Sequence, residues 1–356
     1  MTQQRRPVGR VALGMSGGVD SSVSAALLMR AGYEVVGVTC RFQDNAAADA
    51  AAADAASVCA VLGIASVERT CVAAFERKVV EPFAASYANG LTPSPCVGCN
   101  ALCKLPGLMA AADELGCDRV ATGHYARIAQ LADSGRFAVL TALDARKDQS
   151  YMLSLLSQEQ LSRLMLPLGG MTKPEVRILA SDLGLSVAEK PESQDVCFID
   201  GDYREFLEQR GVVDKPGLVV DRAGVVLGRH EGLAGFTVGQ RKGIGIAAAE
   251  PYFVVEKRVE TGELVVGYAP EAQVVRVRVG RVNWQAIEGL EGLEDATVKL
   301  RYRSTAAPCI IEPEPEGGVR VTLRSPQPTT APGQFAVFYR GSTVLGGGMI
   351  EEVSSV

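Results

Sequence analysis

The sequence predicts an α/β fold built on a doubly wound parallel sheet, followed by small all-β modules. Three observations carry that expectation. Up to about residue 205, apolar strand-like runs alternate with helix-like segments, as in sheets whose strands are joined by crossover helices. A glycine-rich turn, "GMSGGVDSS", follows the first apolar run and opens the first helix, the position of an anion-binding turn. From about residue 206, Val becomes frequent, Gly and Pro punctuate the chain, and period-two alternation appears in "QVVRVRVGRVNW" and "TVKLRYRS".

Each element can be justified in turn. "RVALGM" reads as a buried strand, and "DSSVSAALLMRAG" as a helix with Val19, Val23, Ala26 and Leu27 at helical spacing, stopped by Gly32. "YEVVGVTC" is a second strand. The Ala-rich "DAAAADAASVCAVLG" is a strong helix former that ends at Gly63. "CDRVATGH" gives a third strand and ends in a Gly-His turn at the sheet's C-terminal edge, where open parallel sheets bind ligands. "VVDKPGLVVDRAGVVLG" reads as two short strands and "YFVVEKRVETGELVVG" as a hairpin, with "GYAPEAQ" marking a break near residue 270. In "KLRYRS" a strand would set Arg301 and Arg303 on one face and Tyr302 on the other.

Composition narrows the class. A chain of 356 residues suits two or three domains, and 47% hydrophobic against 22% charged residues supports a sizeable core and excludes global disorder. A net charge of −5 excludes a protein coated in basic residues, so contact with nucleic acid must rest on a local patch. "GQRKG" supplies Arg241 and Lys242 between glycines, suited equally to phosphate contact and to a solvated turn. The run "VALGM" is too short for a signal-peptide core and no stretch reaches spanning length, so a cytoplasmic protein without a membrane partner is expected. Its nine cysteines should then be reduced thiols, with Cys40, Cys59, Cys71, Cys117 and Cys309 acting as small buried hydrophobes. His124 and His230 are the only histidines, which excludes a histidine-rich zinc site and leaves His230 a structural reading.

The phosphate loop is the strongest signal. Gly17 and Gly18 let the backbone approach an anion closely, Ser16 and Ser21 add hydroxyl donors, and Asp20 is placed to cap the helix or to help hold Mg2+. No GxxxxGK[ST] occurs, which sets the common NTP-cleaving loop aside. The string SGGVDS after a strand resembles the pyrophosphate loop of the ATP-pyrophosphatase superfamily. That resemblance implies adenylation of a substrate oxygen with release of pyrophosphate, then displacement. Nitrogen as the attacking atom would need an ammonia source, and no glutaminase arrangement is visible. Sulfur would need a thiolate carrier, and two places offer one. "TPSPCVGCNALCKL" holds Cys96, Cys99 and Cys103, a spacing that suits a metal site, thiol–disulfide chemistry or neither, and "ESQDVCFID" holds Cys197.

Taken as an ordered series, SGGVDS, "TPSPCVGCN", "ATGHYAR", "KDQSYML", "ESQDVCFI", "GFTVGQRKGIGI", "RYR" and "PGQFAVFY" resemble the tRNA-specific 2-thiouridylases from about residue 10 to 350. The resemblance implies ATP-dependent 2-thiolation of the wobble uridine of tRNA, with sulfur delivered by a persulfide-donor protein such as a cysteine desulfurase or sulfur relay. It implies a three-part layout: an adenylating α/β domain of the pyrophosphate-loop type over 1–205, a small central domain over 206–270, and a C-terminal β-barrel over 271–356 that contacts tRNA. It carries ATP binding to Gly14, Met15, Ser16, Gly17, Gly18, Val19, Asp20, Ser21, Cys40 and Gly123, and tRNA contact to His124, Lys147, Asp148, Gln149, Arg301, Tyr302 and Gln334. Cys99 matches the catalytic cysteine and Cys197 the persulfide carrier that forms a transient disulfide with it.

Two departures stand out. Much of the family has Asp where this chain has Cys96, so Cys96 stands as an acid–base candidate or, with Cys99 and Cys197, as a ligand of an iron–sulfur cluster. Cys103 falls where the family usually has an apolar residue. The Ala-rich segment after Gln43 replaces a stretch usually richer in acids. Two other classes stay open at this point: an adenylating ligase or amidotransferase using nitrogen, and a non-catalytic RNA- or metal-binding module.

Overall fold

The computed structural model describes residues 7–185, 196–199, 201–212, 214–290, 293, 295–315 and 317–355; of the stretch around Cys197, residues 192–195 and 200 lie outside this set. The chain divides into two compact units. One comprises Met1–Val79, Cys96–Asp195 and Ser342–Val344, and the other Val80–Pro95, Val196–Gly341 and Leu345–Val356. No helix among the described residues is long and apolar enough to cross a membrane.

The first unit is built on a parallel five-stranded sheet. Strands β1 (Arg10–Gly14), β2 (Glu34–Arg41), β3 (Ala65–Thr70) and β4 (Arg119–Ala121) are joined by a short strand, Leu164–Met165, in the order β3-β2-β1-β4-(164–165). From β1 the chain winds outward through β2 to β3, then returns to place β4 on the other side of β1. The reversal makes the C-terminal ends of β1 and β4 the switch point, where ligands of such sheets bind. Helix α1 (Val19–Arg30) is buried almost all round through small residues, among them Ser21, Ser22, Ser24 and Ala25. Strand β3, which periodicity does not single out, is an edge strand with no buried residue, so no apolar alternation marks it.

The Ala-rich segment forms helix α2 (Ala46–Leu62), capped by the Asn45 side chain accepting from the Ala48 N–H at 2.9 Å and closed by Gly63 at φ 68°. Its small residues have a purpose beyond helix propensity. Gly17 in the phosphate loop has φ +67°, and a Cβ there would lie 2.8 Å from Asp54 Cβ and 3.0 Å from the Ala51 carbonyl oxygen. Loop and helix backbones therefore lie nearly in contact, which bulky side chains at that face would prevent.

In the second unit, four strands in the order Phe253–Arg258, Glu263–Gly267, Gly217–Val220 and Val226–His230 form one sheet around Val219, Phe236, Val254 and Leu264. His230 is structural, as its context suggested: it is 4% exposed, meets the Gly262 carbonyl through Nε2 at 3.0 Å and stands edge-on to Phe236. The C-terminal part is an antiparallel six-stranded barrel in which Gln273–Val279 pairs with both Val319–Pro328 and Thr343–Ser355 and so closes the sheet. The reading of Arg301–Arg303 as strand is corrected here. The strand ends at Lys299, and the Ser304 N–H donates to the Arg301 carbonyl at 3.1 Å, so these residues form a turn with no alternating faces.

Helix Glu81–Ala88 also belongs to this unit. Phe83 stands edge-on to Phe198 at 5.2 Å, and Phe198 in turn meets Phe206 at 5.6 Å, which anchors the residue next to Cys197. Beside this knot, Lys257 places its ammonium 5.8 Å from the Tyr87 ring centre, with Nζ buried and without a hydrogen-bond partner among the described residues. Burial pushes its pKa down to about 8, against the opposing pull of Asp214. A lowered lysine pKa means the folded state binds fewer protons than the unfolded chain between about pH 8 and 10.5, so stability rises with pH across that window. Lys257→Met should raise the midpoint of urea unfolding at pH 7 and flatten that rise; an unchanged midpoint and slope would contradict the burial of an unpaired ammonium.

Candidate active site

The phosphate loop occupies the switch point. Met15 is buried and its N–H donates to the Val38 carbonyl at 2.8 Å, which ties the loop to β2. The two serines divide their work. Ser21 Oγ is buried and donates to the Gly18 carbonyl at 3.1 Å, so it holds the loop's shape, whereas Ser16 is exposed at the loop's tip. Ser22 and Ser24 lock the first turns of α1 onto the Gly18 and Asp20 carbonyls. Gly123, after β4, lets the two sides of the switch point meet: a Cβ there would lie 3.0 Å from the Ser21 nitrogen and 3.1 Å from Asp20 Cβ.

Asp20 does not cap α1, whose N-cap is Gly18 with no side-chain cap hydrogen bond. Its carboxylate instead receives Lys173 Nζ at 2.7 and 2.8 Å and the Tyr125 hydroxyl at 2.8 Å. Lys173 is 6% exposed and opens the helix Lys173–Asp182. A cation in the first turn opposes the helix dipole, and that is the one local hint the sequence gives of a role. The pair lies 153 positions apart in the chain, beyond the reach of motif spacing.

The turn after β4 is ordered by its own network. His124 Nδ1 and Thr122 Oγ1 are 2.8 Å apart. His124 keeps some accessible surface, yet its ring is densely surrounded, and burial with the nearby Lys104 charge pushes its pKa down to about 3, leaving a neutral imidazole. Gln149 joins this turn to the 147–150 segment, since Tyr125 N–H donates to Gln149 Oε1 at 2.9 Å and Gln149 N–H to the Tyr125 carbonyl at 2.8 Å. Asp148, expected to face RNA, is buried instead. Its carboxylate accepts from the Ala142 and Ser150 N–H groups and the Ser150 hydroxyl. Lys147 and Gln149 remain partly exposed beside it.

The cysteines sort by burial. Cys96 and Cys99 share the helical turn Pro95–Cys99, with Cys96 exposed and Cys99 buried. The helix then widens into a π-helical turn, Asn100–Lys104, before running on as Leu105–Glu114. Asn100 secures it by donating from Nδ2 to the Met152 carbonyl at 3.0 Å. Cys103 is buried and its thiol is pushed up to about 11 by burial, as expected of a packing residue. Cys40 lies half-buried at the C-terminal end of β2 beside Cys71, whose thiol together with burial raises the Cys40 pKa and keeps it a neutral, soft surface. Cys197 is exposed, next to the anchored Phe198. Among the described residues, no three His, Cys, Asp or Glu side chains converge on a metal position.

In the second unit, Arg301 Nη2 donates to the Val238 carbonyl at 2.7 Å, tying its turn to the "TVGQRKG" loop, on which Arg241 and Lys242 are exposed. Tyr302 is half-buried in the same turn. Gln334 Nε2 donates to the Thr92 carbonyl at 2.7 Å. Lys173→Met should slow pyrophosphate release at least about tenfold by leaving the Asp20 charge unbalanced at the anion site. It should also cost about 1–3 kcal/mol in urea unfolding, a range lowered from that of fully buried pairs because Asp20 is partly exposed. Unchanged release would remove the pair from the site.

Three family models match consecutive parts of the chain: a tRNA methyl transferase HUP domain over residues 9–201, a tRNA methyl transferase PRC-barrel domain over 204–268 and an aminomethyltransferase beta-barrel domain over 274–350. Their descriptions speak of methyl transfer, whereas curated relatives matched over nearly their whole length are named for thiolation. The tRNA-specific 2-thiouridylase MnmA of Heliobacterium modesticaldum is 44% identical over 353 residues, covering 96% of this chain and 92% of the relative. That of Carboxydothermus hydrogenoformans is 43% identical over 356 residues, covering 96% and 98%. That of Geobacter metallireducens is 44% identical over 366 residues, covering 99% and 98%. With similarity at this level from end to end, the chain belongs to the tRNA-specific 2-thiouridylase family.

Proposed function

We propose that the chain thiolates the wobble uridine of tRNA in two stages, adenylation and then displacement by sulfur. The observation that carries this is the meeting of the phosphate loop with the Gly123–His124 turn at the switch point of the sheet. In the first stage the uridine C2 oxygen attacks the α-phosphorus of ATP, a P–O bond forms, and pyrophosphate departs with the electron pair of the bond that breaks. Loop N–H groups and the Ser16 hydroxyl bind the phosphates, and Cys40 offers an apolar surface to the adenosine. Asp20 is the loop carboxylate that would help hold a magnesium ion alongside phosphate oxygens, and a bound ion would supply neutralisation of the pyrophosphate charge.

In the second stage the terminal sulfur of a Cys197 persulfide attacks C2. A C–S bond forms, and the C2–O bond breaks with its electron pair leaving on AMP. The Cys99 thiolate then attacks Cys197 Sγ, the persulfide S–S bond breaks, and its electron pair stays with the sulfur on C2 as 2-thiouridine. The resulting Cys99–Cys197 disulfide needs an external thiol reductant before the next turnover. Exposure of Cys197 suits loading by a persulfide-donor protein, and burial of Cys99 suits a group that acts after substrate is in place. In this reading residues 1–205 adenylate, 206–270 form the central domain, and the barrel over 271–356 holds tRNA together with His124, Lys147, Gln149, Arg301, Tyr302 and Gln334. No step passes through an iron–sulfur cluster.

Cys99→Ser and Cys197→Ser should each abolish 2-thiouridine, measured by mass spectrometry of tRNA nucleosides, while pyrophosphate release persists within a few-fold. Aerobically purified protein free of iron should keep full activity. Thiolation that survives both substitutions, or that requires added iron, would contradict the two-cysteine route, and a nitrogen-transferring enzyme would tolerate both changes.

A further inference from the structure

The two-stage reading leaves one charge without a holder. During displacement the AMP phosphate gains the electron pair of the C2–O bond, and the only lysine yet placed at the loop, Lys173, is already committed to Asp20. Lys104 answers that need from the cysteine helix.

Its placement follows from packing. Helix Leu105–Glu114 runs antiparallel to β1: Leu108 lies against Gly14 at the strand's C-terminal end, 3.6 Å from the position of a Cβ there. About two turns further on, Arg10 at the strand's start reaches the Leu115 carbonyl. Gly107 shares that face, and a Cβ on it would lie 2.8 Å from Cys71 Sγ and 3.8 Å from Cys40 Sγ, at the end of β2. Lys104 precedes Gly107 and Leu108 by three and four positions, so it occupies the same helical face one turn earlier. One turn earlier on an antiparallel helix is one turn beyond the C-terminal edge of the sheet, over the switch point. Lys104 is half-buried, and its ammonium has no ion-pair or hydrogen-bond partner among the described residues. Its charge is felt by His124 on the RNA-side turn, by Cys40 at the adenosine end and by Cys96 on the sulfur side, which sets it among all three.

A half-buried ammonium with no anion beside it among the described residues is open to an anionic ligand. We propose that Lys104 is a further catalytic residue, which binds the phosphate of the adenylated uridine and takes up the charge of AMP as it leaves. It acts on the second stage: the C2–S bond forms, the C2–O bond breaks, and the oxygen's new charge meets the ammonium. The inference rests on the two-stage reading above.

The test uses the full chain with ATP, Mg2+, an unmodified tRNA transcript bearing the wobble uridine, and glutathione persulfide as sulfur source, which passes its outer sulfur to the Cys197 thiolate and leaves as glutathione, with excess glutathione to reduce the Cys99–Cys197 disulfide. Pyrophosphate release, AMP release and 2-thiouridine are followed separately. Lys104→Met should leave the single-turnover pyrophosphate burst within about threefold and slow AMP release and thiolation at least about 100-fold, with adenylated tRNA accumulating. Lys104→Arg should recover at least a tenth of the wild-type thiolation rate. Equal loss of pyrophosphate release and thiolation in Lys104→Met and Lys104→Gln, with unfolding midpoints at the wild-type value, would overturn the assignment, as would unimpaired thiolation. Wild-type protein that thiolates without releasing pyrophosphate would overturn the two-stage reading itself.

Discussion

The contact on which the site depends is the one between Asp20 and Lys173, with Tyr125 as its third member. It clamps the start of α1 to the turn after β4 and to the helix Lys173–Asp182. Each of these comes from a different stretch of the sequence, and only the sheet's reversal at β1 and β4 brings them together. A buried lysine is tolerated only with a partner, so Asp20 holds Lys173 in place and the Lys173 ammonium balances the Asp20 carboxylate beside the loop. Gly17 and Gly123 make the clamp sterically feasible by admitting α2 on one side and β4 on the other.

How much of this was legible in the sequence depended on whether the physical cause was local. The phosphate loop, the first two strands and the Ala-rich helix follow from runs of neighbouring residues, and they lie where periodicity and caps put them. Strand β3 was missed because an exposed edge strand carries no apolar alternation. At Arg301–Arg303 the alternation of Arg and Tyr looks the same in a strand and in a turn, and the Ser304 contacts that make it a turn have no sequence signature. Asp148 shows the same limit from the side of function. A resemblance carries a position to RNA contact, whereas the carboxylate itself is occupied by the turn's own N–H groups.

The cysteines show what structure adds to a motif. Read as spacing, Cys96, Cys99 and Cys103 look like three equal thiols. Burial separates them into one open thiol, one enclosed thiol and one packing residue, with a π-helical turn following Cys99. Cations at the site therefore divide into a paired one that shapes the loop and an unpaired one left for the substrate.

The central claim is that the uridine C2 oxygen is adenylated and leaves on AMP. It is tested most directly by carrying out the reaction on tRNA whose wobble uridine bears 18O at C2 and weighing the products. The account predicts one 18O in each AMP formed, in step with 2-thiouridine. Unlabelled AMP alongside 2-thiouridine would contradict it.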